Sequence, residues 1–147
     1  MAKNSNTYVT FNINERTPIG FYKQLNDEFH FDCDPCPLNP APDIDGLNIA
    51  WGKRCYINPP YGKEIRRWLE KALFEIEAGH TELAVFLLPS YTDVKWFHEI
   101  ALPKAKEIRF LKGRLKFGEH KNNAPFANLI LIFDSYSIRN KGGEALK

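Results

Sequence analysis

The sequence lacks what membranes and secretion require. No stretch of about eighteen apolar residues occurs, and Met1-Ala2-Lys3-Asn4-Ser5 is not followed by an apolar leader core, so a cytoplasmic protein is expected. Cysteine is scarce: Cys33, Cys36 and Cys55 are an odd number, too few for a disulfide scaffold and suited to a reducing compartment. An excess of one charge is missing too. Twenty Lys and Arg against 18 Asp and Glu give a formal net charge of +2, which neither demands nor excludes nucleic acid, so any electrostatic argument must be local. No internal repeat is present, which excludes a solenoid. What remains is a chain of 147 residues, 44% hydrophobic and 14% aromatic, enough for one domain with a core and cramped for two.

His30, Cys33 and Cys36 spell His-x2-Cys-x2-Cys with Cys55 further on, a spacing open to a zinc reading. In an extended segment, however, His30 and Cys33 point to opposite faces, as do Cys33 and Cys36. The cysteines are better explained as small buried hydrophobes on adjacent strands, with no metal expected.

Along the chain, residues 1–15 have no periodicity and read as a loose arm. Thr17-Pro18 gives a helix start, with Thr17 as N-cap and Pro18 at the first helical position, and Ile19, Tyr22, Leu25 and Phe29 form its apolar stripe. Phe29 to Asp34 alternates as a strand and ends in a proline-rich loop that runs to Asp45-Gly46-Leu47. A short strand follows at Arg54–Ile57, then a helix carrying Ile65, Trp68, Leu69, Ala72, Leu73 and Ile76 that stops at Gly79. Leu83 to Leu88 is a continuous apolar run, the pattern of a strand buried on both faces of a parallel sheet. A helix capped by Thr92, a strand at Ile108–Leu111 that Leu115–Phe117 extends or follows, a polar loop at Gly118–Phe126 and a last strand at Ala127–Phe133 complete the series. His98, at helical spacing with Val94 and Ala101, reads as a packed or half-exposed histidine rather than a catalytic base. Strands alternating with helices predict an α/β fold: a single compact, Rossmann-like domain over residues 16–133 with a mostly parallel sheet, and a polar tail at 134–147.

The chemistry concentrates at Asn58-Pro59-Pro60-Tyr61-Gly62. Two prolines remove two backbone donors and fix φ near −65°, so the strand must end and a stiff loop must leave it. That loop offers two acceptors, the Asn58 side-chain oxygen and the Pro59 carbonyl, and one aromatic ring, Tyr61. An amino group conjugated to a ring is a poor nucleophile because its lone pair is delocalised. Two acceptors on its hydrogens draw the lone pair back, and a tyrosine can stack on the base that carries it. Asp34 and Asp45 also fall at expected strand ends, where open α/β sheets bind ligands, although Asp45-Gly46 equally suits an Asx turn.

Asn-Pro-Pro-Tyr resembles motif IV of the S-adenosyl-L-methionine (SAM)-dependent amino-methyltransferases. Thr17-Pro18, Phe31 to Pro37, Asp45-Gly46-Leu47, Asn58 to Gly62, Leu87-Leu88-Pro89 with Thr92-Asp93 and Trp96-Phe97, and Gly113 to Phe117 occur in the order seen in the phage-type DNA N6-adenine methyltransferases, the Dam-like family. The resemblance covers about residues 16–133 and implies a Rossmann-like methyltransferase domain, shortened relative to its superfamily and working in the host cytoplasm if phage-encoded. It implies that Thr17 and Pro18 lie near the methionine end of SAM, that Asp34 and Pro35 form the SAM loop, and that Asp45 and Leu47 contact its adenine. Asn58, Pro59, Pro60 and Tyr61 would form the catalytic loop. One departure stands out: prolines and Asn39 follow Asp34 where the superfamily has a glycine-rich turn.

Double-stranded DNA is the partner so implied. The segment from Lys104 to Lys121 holds seven basic residues against two acidic, and within it Lys112, Arg114, Lys116 and Phe117 are the expected DNA contacts. A lysine-protected strand edge is the alternative for the same charges. Two other functions fit the residues: amino or amide methylation of RNA or a protein glutamine, and a nucleic-acid-binding domain that no longer holds the cofactor.

Overall fold

The computed structural model describes residues 18–38, 40–116 and 126–145, with backbone only for Ile19 and residues 141–145. Thr17, Phe117 and most of the expected 118–126 loop lie outside the described residues, as does the N-terminal arm. Four strands, β1 (Arg54–Ile57), β2 (Leu83–Pro89), β3 (Glu107–Phe110) and β4 (Asn128–Asp134), form one sheet in the order β1-β2-β4-β3. β1 and β2 are parallel, with Arg54 opposite Leu83 and Ile57 opposite Phe86. β4 is antiparallel to both its neighbours. The sheet is therefore mixed, not mostly parallel as expected. The reason lies between Leu111 and Ala127, where no helical pattern supplies the crossover that a parallel return needs.

The described helices are α1 (Ile19–Phe29), α2 (Ile65–Glu77), α3 (Leu102–Lys104) and α4 (Ser135–Ala145), with a π-helical turn at Phe97–Ala101 leading into α3. α1 crosses the face of the sheet that carries Tyr56 and Arg109. Tyr22 packs edge-on against Tyr56, and at the far end Arg109 of β3 forms a two-pronged ion pair with Glu28 at 2.6 and 2.8 Å. All seven residues of β2 are buried, so its apolar run is the centre of the core, as the sequence led one to expect.

Three expectations need correction. Pro18, with ψ of 133°, is itself the N-cap of α1 and makes no side-chain cap bond. Helix α1 persists through Phe29 and turns at His30, which adopts positive φ, so the strand expected from Phe29 shrinks to a single parallel bridge between Cys33 and Cys55. The expected polar tail contains helix α4, which buries Ser137 and Ile138 and packs against α2, α3 and β4. Only Ile138 marks an apolar face there, too little for a periodicity to register. No helix among the described residues is long and apolar enough to cross a membrane.

Ile138 is 5% exposed, so Ile138→Ala is expected to cost about 2–5 kcal/mol in urea denaturation. A change within about 0.5 kcal/mol would match a solvated tail instead.

Candidate active site at the carboxyl edge of the sheet

The strand register gathers the candidate residues on one edge. β1 and β2 run toward the same end, β1 stopping opposite Phe86 and β2 continuing to Pro89, Asn128 opens β4 opposite Pro89, and β3 ends where β4 begins, with Phe110 opposite Leu129. The Cys33 bridge is parallel to β1, so Asp34 and Pro35 leave toward the same edge. Asp34, Asn58, Ser90, Lys112 and Asn128 thus follow or begin strands at one rim, the side where open α/β sheets take ligands.

At that rim the chain leaves β1 as Asn58-Pro59-Pro60-Tyr61. Pro59 is buried, and Asn58 and Pro60 are half-buried. Gly62, at φ of 101°, turns the chain into α2, a conformation that a side chain would strain. Tyr61 is only 4% exposed. Its hydroxyl donates to the Leu87 carbonyl at 3.0 Å and accepts from Asn128 Nδ2 at 3.2 Å. Burial, and to a lesser extent the neighbouring Tyr56, push this phenol well above its ordinary value, so it stays neutral. Phe126 leans on the Tyr61 ring at 5.5 Å and meets Tyr91 edge-on at 6.4 Å, which makes an aromatic group beside Asn58. Burial pushes Tyr91 up to about 12.

Two carboxylates stand beside Cys36. Asp34 Oδ1 accepts from the Cys36 N–H at 3.1 Å; desolvation raises its carboxyl above the ordinary value against that bond. Asp45 closes an Asx turn, its Oδ1 accepting from the Leu47 N–H and its Oδ2 from Asn48 Nδ2, both at 2.9 Å. Burial together with both acids drives the Cys36 thiol up to about 12. Pro18 is one helical turn before Tyr22, whose phenol is raised by burial and by Asp34, so the start of α1 belongs to the same group. Gly46 seals it: a Cβ there would lie 1.9 Å from the Pro35 carbonyl oxygen. Leu47 is half-buried against the core.

Beneath these loops runs a network that the sequence reading missed. Trp51 Nε1 donates to the Gly46 carbonyl at 2.8 Å, the Trp51 N–H donates to Glu75 Oε1 at 2.8 Å, and Glu75 pairs with Lys71 at 2.7 Å and His80 at 2.9 Å. Glu75 is 1% exposed. Burial alone would raise its carboxyl, but the bonds from Lys71, Trp51 and His80 outweigh burial and hold it below the ordinary value. One signal was available: Glu75 sits inside the apolar stripe of α2, three residues after Ala72 and one before Ile76.

Of the four residues of the zinc spacing, His30 is exposed at the end of α1, and Cys33 and Cys55 face each other across a parallel bridge, Cys33 Sγ accepting from the Gly52 N–H at 3.2 Å and Cys55 Sγ donating to the Gly52 carbonyl at 3.3 Å. The neighbouring thiols shift each other, Cys33 down to about 7 and Cys55 up. No group of three or more His, Cys, Asp or Glu residues able to hold a metal occurs among the described residues. His98 is exposed and bonds to the Thr92 carbonyl at 2.7 Å. In the basic segment Arg109 is committed to Glu28 and Glu107, and Lys106 to Asp134, whereas Lys112, Arg114 and Lys116 are exposed and make no ion pair among the described residues.

Comparison with known proteins adds one finding. The family model described as DNA N-6-adenine-methyltransferase (Dam) matches residues 4–139, nearly the whole chain and including the first residues of α4. No curated protein matches.

Removing Glu75 leaves the Lys71 ammonium, 13% exposed, without its partner, and Glu75→Ala is expected to cost about 3–5 kcal/mol. Because the folded-state pKa is depressed, this contribution is complete above the ordinary carboxylate value near ~4.3 and is lost as pH falls through the folded value. Urea titrations should show the gap between wild type and variant narrowing on acidification; a gap that ignores pH would mean that Glu75 acts by packing alone.

Proposed function

From the premise that the chain belongs to the DNA N-6-adenine-methyltransferase (Dam) family, we propose that it methylates the N6 amino group of adenine in double-stranded DNA, using SAM, at the Asn58–Tyr61 loop. The observation that carries this reading is the common rim: the Asn-Pro-Pro-Tyr loop, the Asp34 loop and the exposed end of the basic segment leave the sheet on the same side, and the Asp45 turn packs against the Asp34 loop.

The residues present fit the cofactor. SAM carries an ammonium group, an adenine amine and ribose hydroxyls, all donors, and the rim offers Asp34 and Asp45, whose oxygens keep acceptor capacity beyond the Asx bonds they make. Asp34 with Pro35, Asp45 with Leu47, and Pro18 at the start of α1, with Thr17 next to it in sequence, would hold it; when bound it supplies a methyl group on a sulfonium leaving group. Here two Asx turns preset the carboxylates in the place where the superfamily uses a glycine-rich turn.

Asn58 Oδ1 and the Pro59 carbonyl accept the two N6 hydrogens of adenine and draw the nitrogen lone pair out of the ring. No covalent intermediate is required; the loop chiefly aligns the nitrogen with the methyl group. Adenine reaches the loop by leaving the helical stack, which costs a few kcal/mol and is offset by stacking and hydrogen bonds in the pocket. Tyr61 supplies the stacking face. Since its ring is buried against Phe126, a base enters as Phe126 gives way. Lys112, Arg114 and Lys116, with Phe117 next to them in sequence, contact the DNA around the extruded base.

Asn58→Ala is expected to fold, to bind SAM with wild-type affinity in calorimetry, and to transfer almost no methyl. With methyl-labelled SAM, digestion of wild-type product should place the label on N6 of adenine. Label on cytosine, or on RNA or protein alone, would reject the substrate, and absence of SAM binding would favour a non-enzymatic nucleic-acid module. For the DNA surface, Lys112→Glu with Lys116→Glu should weaken binding and flatten its salt dependence by about 0.9 in log–log slope per lost phosphate contact. An unchanged salt series would make these lysines a solvated edge.

A further inference from the structure

Asn128 opens β4, is 1% exposed, and belongs to none of the motifs that carry the family resemblance. Its Nδ2 donates to two oxygens, the Leu88 carbonyl at 3.0 Å and the Tyr61 hydroxyl at 3.2 Å. The Leu88 carbonyl can only accept, so the amide cannot turn over, and the Tyr61 hydroxyl, accepting from Asn128, must give its single proton to Leu87 at 3.0 Å. Leu87 lies one residue past the last β1–β2 pair, Ile57 opposite Phe86, where the catalytic loop has left the sheet. Asn128 Oδ1 meanwhile is buried with no hydrogen-bond partner among the described residues. An acceptor left unmade in the core costs stability, so packing alone would favour an apolar side chain at this position.

We propose that Asn128 is a positioning residue that, through the Tyr61 hydroxyl, fixes the ring of Tyr61 against the end of β2 and so sets the plane on which the target base stacks. The inference rests on the methyltransferase reading above. It makes the tyrosine hydroxyl an anchor rather than an acid or base. The ring of a phenylalanine in that place would still stack, but its tilt would be free. Asn128 and the hydroxyl therefore form one unit, and losing either part loses the same alignment.

The test is a double-mutant cycle on single-turnover methylation with SAM and DNA saturating, using Tyr61→Phe, Asn128→Leu and the pair, with SAM affinity measured on each. Each single change is expected to slow transfer about fivefold, the pair to be no more than about twofold slower than either, and SAM affinity to stay unchanged. Asn128→Asp guards against a misfolded leucine variant. Its carboxyl can replace one of the two Nδ2 donations, and only when protonated, a form that the dry site beside the Leu88 carbonyl favours by raising its pKa. Its rate should recover part of the loss at acidic pH and fall relative to wild type as pH rises. Losses that multiply in the pair, a weakened SAM affinity that accounts for them, or a pH-independent Asn128→Asp ratio would overturn the inference while leaving the methyltransferase reading intact. A wild type that transfers no methyl to DNA would overturn both.

Discussion

Arg54 opposite Leu83 and Ile57 opposite Phe86 fix β1 and β2 in parallel register, and the candidate site depends on that pairing. A parallel pair sends both strands out of the sheet at the same end, and the two prolines after Ile57 stop β1 there by removing the donors that would continue the ladder. The loop that follows cannot fold back as helix until Gly62 releases it. Asn58 and Tyr61 are thus delivered by the backbone to one place, with β2 running three residues further beside them and its Leu87 carbonyl receiving the tyrosine hydroxyl. Had β1 and β2 paired antiparallel, the loop would open at the rim where β2 begins, far from Pro89, Asn128 and the end of β3.

The same logic explains which parts of the fold the sequence disclosed. β1, α2, β2 and β4 were legible because each is a run whose apolar residues have no second interpretation: Leu83 to Leu88 must be buried on both faces, and the stripe from Ile65 to Ile76 has only one period. Direction was not legible. An apolar run reads the same whether its neighbour is parallel or antiparallel, so β4 was assigned to a mostly parallel sheet that the connection from β3 does not build. α4 was missed because its Gly142-Gly143 pair and polar surface resemble a tail, and a single buried Ile138 carries the packing.

At the site, sequence located the loops but not what holds them. Asp34 and Asp45 come together because Gly46 packs directly against the Pro35 backbone, with no room there for a side chain. That proximity depends on Trp51 and Glu75, residues separated by 24 positions and joined by a backbone-to-carboxylate bond that no local pattern announces. The loop that would otherwise need glycines to approach a ligand is stiffened by prolines, and its polar groups are preset by Asx turns. A preset loop surrenders little conformational freedom on binding, which compensates physically for the absent glycine-rich turn.

Charge shows the same division between what is used inside and what is left for a partner. Of the basic residues clustered after the π-helical turn, Arg109 is spent on Glu28 and Glu107 and stacks over Phe29 at 5.4 Å, tying α1 to the far edge of the sheet. Lys106 is paired with Asp134. Neither is available to a phosphate without giving up an internal contact. Lys112, Arg114 and Lys116 come after β3 has ended, at the rim and exposed. A net charge of +2 for the whole chain conceals this, because internal pairing cancels the basic residues near the core and leaves those at the rim. What a polyanion would meet is therefore a local positive segment at the same rim as the Asn58–Tyr61 loop, on the opposite edge strand, and that placement, rather than the overall charge, is the electrostatic argument for a nucleic-acid substrate.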